Sequence, residues 1–152
     1  MAFDEMTIIN QIANYERSIA GVKNSYGFAQ NPDALTNAML PAAIHYSASF
    51  SCVLLANYGK WQNSITMTSI LFVKPREQLG GKLKFLENEA MPFANLWRAK
   101  FQDPVVITAL LTNTQAVKAY LTGGAYGAGG ALLTYNGVEF IGYVINFDFL
   151  SN

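Results

Sequence analysis

The stretch Ala131-Leu132-Leu133-Thr134-Tyr135, then Asn136-Gly137, then Val138 to Phe149 carries the strongest structural signal in the chain. Two β-prone segments separated by Asn-Gly predict a β-hairpin with a two-residue turn, because both central positions of that turn need a positive φ. The outgoing strand is much longer than its partner, so its far half must pair with another strand. We expect this strand to be central in a sheet.

Further strands are predicted upstream of this hairpin. Apolar and polar residues alternate from Ala42 to Ser47, and a less regular β-prone run extends from Phe50 to Tyr58, before a turn at Asn57-Tyr58-Gly59-Lys60. The segment from Trp61 to Val73 predicts a long strand that ends apolar on both faces, which is typical of a central position. Val105 to Leu111 predicts another strand.

Helical periodicity occurs in two main regions. Ile8, Ile12, Tyr15 and Ile19 recur at helical spacing, which predicts a helix over 5–20 with Asp4 as its cap and Gly21 as its end. Apolar residues over 77–101 predict a long helix that is kinked or broken at Pro92. Shorter helices are predicted over 33–39 and 114–121.

These elements predict one α+β domain over residues 1–152. The expected architecture is a single mixed, mainly antiparallel sheet, flanked by the N-terminal helix and the long central helix, with a C-terminal β-hairpin. We find no internal repeat and no linker.

The surface is expected to be poor in charge. Only 13% of the residues are charged and 51% are hydrophobic, against roughly 25% charged in an ordinary soluble domain. Such surfaces tend to be covered by other protein, which indicates an assembly subunit. The net charge of zero gives no electrostatic reason to expect binding of free DNA, and no apolar run is long enough to predict a membrane-spanning helix.

Signatures of catalysis, metal binding and cofactor binding are missing from the sequence. His45 is the single histidine and lies in a predicted strand, so a structural or surface role is expected. Cys52, the single cysteine, is expected to be a buried, inert thiol in a reducing cytosol. Leu132 and Arg76 stand where nucleotide-binding glycine motifs would need glycine. We therefore predict a protein without enzymatic activity, bound metal or cofactor.

A glycine-rich segment over 122–130 has two interpretations. It is either a mobile loop or a loop that becomes ordered against a neighbouring subunit, and we favour the second for an assembly subunit. Tyr126 would anchor it, because an aromatic ring brings a large contact area. The predicted interface residues are Gly123, Gly124, Tyr126, Gly127 and Gly129.

A loosely basic stretch surrounds the start of the central helix. It contains Lys60 and a candidate partner-facing patch of Lys74, Arg76, Lys82 and Lys84. The simpler interpretation is a solvated strand end and helix start. The alternative is a surface that faces an acidic partner or passing DNA.

The order of these segments resembles that of the tail terminator proteins of long-tailed bacteriophages, also called tail-to-head joining or tail completion proteins. The resemblance extends over most of the chain. It rests on the N-terminal helix, the strand Leu40 to Tyr46, the strand end Ile70 to Arg76, the helix from Glu77, the strand at Val105, and Tyr135 to Tyr143 in the final strand.

This resemblance implies a function in the virion. Such proteins form a hexameric ring that caps the tail tube, stops its polymerisation and joins it to the neck, while DNA passes through without being read. The implied partners are other copies of the chain, the tail tube protein and a neck or head-completion protein, with assembly in the host cytoplasm and no membrane. The alternatives are a tail tube or neck adaptor subunit, and a small ligand-binding or enzymatic domain with a pocket near Trp61 and Trp97.

Overall fold

The chain folds as an α+β protein with an open mixed sheet. The structure, a computed structural model, describes residues 3–55, 59–76, 85–125 and 132–152. In these ranges it contains three α-helices and six strands. The helices are α1 (Glu5–Glu16), α2 (Phe85–Phe101) and α3 (Pro104–Thr114), and the strands are β1 (Asn24–Ser25), β2 (Ala42–Leu55), β3 (Lys60–Pro75), β4 (Lys118–Ala125), β5 (Leu133–Tyr135) and β6 (Val138–Ser151).

The sheet has the strand order β1-β2-β3-β6-β4, and β5 pairs with β6 beside this path. The short strand β1 runs parallel to β2, whereas all the other pairs are antiparallel. The sheet is therefore mixed and mainly antiparallel, as the sequence predicts.

Strand β6 holds the sheet together. Its first three residues pair with β5, the stretch Val144 to Leu150 pairs with β4, and most of its opposite edge pairs with β3. The turn before it has left-handed residues at Asn136 (φ 48°) and Gly137 (φ 79°). The predicted two-residue turn is thus present, and the far half of the strand pairs elsewhere, although β5 is shorter than expected.

Replacing Gly137 by valine is expected to lower the free energy of unfolding by about 1 kcal/mol, because a β-branched residue resists a positive φ. Denaturant unfolding of the purified variant measures this change. The matched control is Asn136→Gly, which keeps the left-handed geometry accessible and should leave stability nearly unchanged. If Gly137→Val unfolds at the wild-type denaturant concentration, the turn geometry is wrong.

The two faces of the sheet are covered differently. One face packs against all three helices and forms the main core, with Trp97, Phe101, Phe147 and Phe149 among its buried side chains. We call it the helix face. A smaller cluster on the other face packs the segment around Tyr26 and Leu35 against Phe72 and Phe140. We call this the outer face.

Helix α1 begins and ends through local interactions. The Asp4 carboxylate accepts a hydrogen bond from the Thr7 backbone amide at 2.7 Å, which caps the first turn. The helix ends at Glu16, four residues earlier than predicted, and is followed by turns up to Gly21 (φ 88°). Its buried stripe is Ile8, Ile9, Ile12, Ala13 and Glu16.

The predicted strand at Val105–Leu111 is wrong, because these residues belong to helix α3. Asp103 caps this helix by accepting a hydrogen bond from the Val105 amide at 2.9 Å, and Pro104 occupies the first turn, where a missing amide costs nothing. Val106 and Leu110 are buried one turn apart. Capping and packing of this face outweigh the β propensity of its branched residues.

The predicted helix over 114–121 is also wrong. Gln115 adopts a left-handed conformation (φ 59°) that ends α3, and the chain then enters strand β4. Ala119 is buried while its neighbour Tyr120 is exposed, as expected for an alternating strand. The long β6 strand supplies the pairing edge that this segment needs.

Two smaller predictions are also corrected, and one is confirmed in part. The two β-prone runs form one strand as far as Leu55, β2, with a register shift between Ser47 and Ser49, and residues 56–58 lie outside the described residues. The helix predicted over 33–39 is a single 3-10 turn at Asn37–Met39. Helix α2 is a single helix that ends at Phe101 as predicted and is not broken at Pro92, and the predicted start at 77 lies outside the described residues.

Candidate assembly surface

Strands β2 and β3 extend together beyond the rest of the sheet. The last paired residue of β6, Ser151, lies opposite Asn63, and β4 reaches only the level of Ser64. We name Tyr46–Leu55 together with Lys60–Thr66 the distal hairpin. In the described residues, the pairs Val53–Gln62, Leu54–Trp61 and Leu55–Lys60 lie beyond Ser151 and have no third strand beside them.

The distal hairpin is apolar and exposed. Phe50 is 70% exposed and Trp61 53%, and the other large exposed apolar side chains of this ribbon are Tyr46, Val53 and Leu54. Lys60 is the single charged residue in its two strands. Single exposed apolar residues are ordinary, but several of them on one pair of strands indicate an interaction surface.

Cys52 lies on this ribbon and is exposed, so the expectation of a buried thiol is wrong. The residue follows an apolar pattern, but at Cys52 the strand β2 has β3 on one side and no strand on the other within the described residues. A shallow cleft of about 180 Å³ runs beside it, lined by Phe3, Phe50, Cys52 and Ile65 among others.

Strands β2 and β4 each have a backbone edge without a partner strand within the described residues. Strand β1 covers β2 only at Ala42 and Ala43, so the β2 edge from Ile44 to Leu55 has no strand beside it. Strand β4 is the last strand on the other side. Open edges of this length can pair with another chain unless charge, proline or a cover prevents it.

Two of the predicted glycine interface residues lie at one of these open edges. Gly123 and Gly124 belong to strand β4 and pair with Asn146 and Ile145, so the glycine-rich segment begins as a strand rather than a loop. Tyr126, Gly127 and Gly129 lie outside the described residues.

The predicted basic patch is only partly described. Arg76 donates a hydrogen bond to Glu139 at 3.0 Å in an exposed ion pair, which compensates its charge locally. Lys74 lies near it in β3, whereas Lys60 is at the opposite end of the same strand, roughly 45 Å away at the usual rise per residue. Lys82 and Lys84 lie outside the described residues. Lys60 therefore does not belong to one patch with Lys74 and Arg76.

The two tryptophans do not share a pocket. Trp97 belongs to helix α2 and its side chain is buried. The cleft beside it has a volume of about 210 Å³ and is bounded by Arg98, Leu121 and Tyr143. Trp61 lies on the distal hairpin, opposite Leu54. The described residues therefore form no single pocket that both tryptophans line, although a pocket near Trp61 and Trp97 was the expectation.

A buried polar cluster lies under the base of the distal hairpin. The Glu16 side chain is fully buried and accepts hydrogen bonds from Ser69 Oγ at 2.6 Å and Trp97 Nε1 at 2.7 Å on Oε2. Ser25 Oγ donates to Oε1 at 3.1 Å, and His45 Nε2 contacts the same oxygen. One carboxylate thus links α1, β1, β2, β3 and α2.

This cluster contains serine, histidine and glutamate, but its geometry does not suit nucleophilic catalysis. A catalytic serine must donate to the histidine that activates it, whereas Ser25 and Ser69 both donate to Glu16. The side chains of His45 and Glu16 have no exposed surface. The arrangement satisfies a buried charge, which supports the predicted structural role of His45.

Both ring nitrogens of His45 lie against oxygen acceptors, which favours its charged form. Nδ1 lies 2.6 Å from the Tyr26 carbonyl oxygen, which can only accept, so Nδ1 carries a proton. Burial acts to lower the pKa of His45 and Arg17 also opposes its charge, but the Glu16 carboxylate and the hydrogen bonds to Glu16 and Tyr26 outweigh them. The pKa of His45 is therefore raised above its ordinary value.

A raised pKa makes the stability contribution of His45 depend on pH. The contribution is complete below the unfolded-state value, about 6.5, and is lost as pH rises through the folded-state pKa. We expect the difference in unfolding free energy between the wild type and His45→Gln to shrink as pH increases over that range. Denaturant titrations at several pH values measure it, and a difference that grows with pH would contradict the charged form.

The sequence contained signals for both features that our predictions missed. Glu16 lies four residues after Ile12 and seven after Ile9, so it falls on the apolar stripe of α1, where a carboxylate needs buried partners. For the distal hairpin, the sequence shows only a long β-prone region almost without charge, and the point at which it extends past β6 is set by the strand lengths.

No protein-family model matches this chain, and the search of curated proteins gives no significant match. In the ranges that the structure describes, no helix is both long and apolar enough to cross a membrane. The same ranges contain no group of three or more His, Cys, Asp or Glu side chains placed to hold a metal ion.

Proposed function

We propose that this chain is a structural virion protein, the subunit of a closed homo-oligomeric ring that terminates the tail tube of a long-tailed bacteriophage. The ring is a hexamer that stops tube polymerisation and joins the tail to the neck. The resemblance to tail terminator proteins suggests this role, and the exposed distal hairpin is the main observation that supports assembly.

The distal hairpin supports assembly because its exposed surface is costly in an isolated subunit. Phe50, Val53, Leu54 and Trp61 each expose half or more of their surface. Burial of apolar surface stabilises by roughly 25 cal/mol per Å², and aromatic residues are enriched in the cores of protein interfaces. A complex in which a partner covers this ribbon is therefore more stable than the separate subunits.

The composition and part of the architecture agree with the proposal. The resemblance implies one sheet flanked by helices, although all three helices pack on one face and the strand expected at Val105 is helix α3. The net charge of zero suits a channel through which DNA passes without being read. The ring needs no enzymatic activity and no cofactor. Its partners are the tail tube protein and a neck or head-completion protein, with assembly in the host cytoplasm.

Electron microscopy of the purified protein tests this function, both alone and added to its tail tube protein during polymerisation. We expect closed rings with a central channel, and tubes that are capped and shorter than those formed without the protein. Absence of rings together with tubes of unchanged length would contradict the proposal.

The long hairpin also favours a second candidate, a tail tube or neck adaptor subunit, because tube subunits usually carry such a hairpin. They are usually richer in β-structure with a single helix, whereas three helices pack on this sheet in its described part. The same micrographs separate the two functions, since a tube subunit would polymerise into long tubes by itself.

A further inference from the structure

We infer that the open edge of β2 in one copy pairs with the open edge of β4 in the next copy, so that the sheets of neighbouring subunits become continuous. This inference rests on the proposed ring and names the surfaces that build it. A second copy is the favoured occupant because one sheet carries both unpaired edges, one at each side.

The strand directions fit this pairing. Going across the sheet from β2 through β3 and β6 to β4, each pair is antiparallel, so β2 and β4 run in opposite directions. Copies related by rotation about a ring axis keep their strand directions around the ring. The β4 strand of one copy therefore meets the β2 strand of the next in antiparallel orientation, which forms a regular ladder.

The two edges also lie at matching heights. Tyr120 pairs with Asp148, Asp148 with Thr66, and Thr66 with Ser49, so Tyr120 is level with Ser49 across the sheet. In the same way Ala125 is level with Ile44. The eight residues of β4 thus lie at the same height as the part of β2 that β1 leaves uncovered, at the opposite edge of the sheet.

Neither edge is strongly protected against pairing. The β2 stretch from Tyr46 to Leu55 has no charged residue and no proline, and β4 carries one charge, Lys118, at its start. Charges and prolines are the usual devices that keep strand edges apart. The neutral edges also produce no repulsion between copies.

Both edges carry a register shift close to the row formed by Met67 and Phe147. The shift in β2 lies between Ser47 and Ser49, and the shift in β4 lies between Leu121 and Gly123. Bulges bend and twist the strand that contains them, and curvature of this kind is what a sheet needs to close on itself.

Cross-linking between single-cysteine variants tests the pairing. In a Cys52→Ser background, one variant carries Ser49→Cys on β2 and another carries Tyr120→Cys on β4. These two exposed residues lie on the outer face at the same level. The variants are mixed, assembled at high concentration and treated with a flexible bis-maleimide of about 10 Å, which tolerates an offset of two residues at about 3.3 Å each.

We expect a cross-linked dimer in the mixture and in neither variant alone, and none when Ser49→Cys is mixed with a control that carries Thr108→Cys on α3. Cross-linking of Ser49→Cys with itself would indicate a two-fold contact and overturn the inference. The mass of each sample before cross-linking is read separately. A ring without the mixed cross-link overturns the edge pairing alone, whereas a monomer at every concentration overturns both the pairing and the proposed function.

Discussion

Replacing Glu16 by alanine is expected to lower the free energy of unfolding by about 3–5 kcal/mol, a large share of the stability of a domain this size. The change leaves the charged His45 buried without its counter-ion, and removes the acceptor of Ser25, Ser69 and Trp97. Denaturant unfolding followed by tryptophan fluorescence measures the effect, since Trp97 reports directly on the cluster.

Two further variants keep this prediction testable if Glu16→Ala does not fold. Glu16→Gln keeps the volume but removes the charge, so we expect a smaller loss in the same direction. Glu139→Ala removes a glutamate from the exposed pair with Arg76 and should change stability by about 0–1 kcal/mol. Similar effects of Glu16→Gln and Glu139→Ala on the free energy of unfolding would show that the Glu16 carboxylate does not stabilise the contact between the helices and the sheet.

Replacing Gly142 by alanine is the second change with a large expected effect, about 3 kcal/mol. A Cβ at this position would lie 2.0 Å from the Leu71 carbonyl oxygen and 2.8 Å from Leu133 Cδ1. The first contact is with the backbone of β3, so rotation of a side chain cannot relieve it. Strand β6 would have to move away from β3 at the centre of the sheet.

Gly123→Ala is the matched control, because a Cβ there meets nothing within 4 Å. We expect its thermal midpoint to stay close to that of the wild type while that of Gly142→Ala falls sharply. Equal midpoints for the two variants would show that β3 and β6 are not in such close contact at Gly142.

The sequence predicts the strands that carry a local pattern. The Asn136-Gly137 turn and the long strand after Trp61 follow from turn chemistry and hydrophobicity, which act over a few residues. The sequence predicts the wrong structure for Val105–Leu111 and Lys118–Ala125, because the structure of these segments depends on distant partners. The first packs on the helix face, and the second completes an edge of β6.

The candidate surface was predicted only in outline. The low charge indicated an assembly subunit, but the predicted interface was placed on the glycine-rich segment, of which the structure describes only the part in β4. The distal hairpin depends on the unequal lengths of β3 and β6, a property of the whole sheet. No local pattern in Val53 or Leu54 shows that β6 and β4 end before β2 and β3 do.

The buried cluster and the distal hairpin are connected in the structure. His45 and Ser69 are direct partners across β2 and β3, just before the hairpin becomes exposed, and Glu16 ties both to the helices. The network fixes the base of a ribbon whose far end has little support in its own subunit. A fixed base lowers the entropy lost when the ribbon meets a partner.

The mass of the purified protein as a function of concentration tests the central claim most directly, using wild type, a Phe50→Ser/Trp61→Ser variant and a Val105→Ser control. Val105 is 75% exposed on α3, outside the hairpin. We predict a closed hexamer for the wild type and the control, and a folded monomer with an unchanged thermal midpoint for the hairpin variant. A wild type that stays monomeric at every concentration, or forms only a two-fold dimer, would contradict the account.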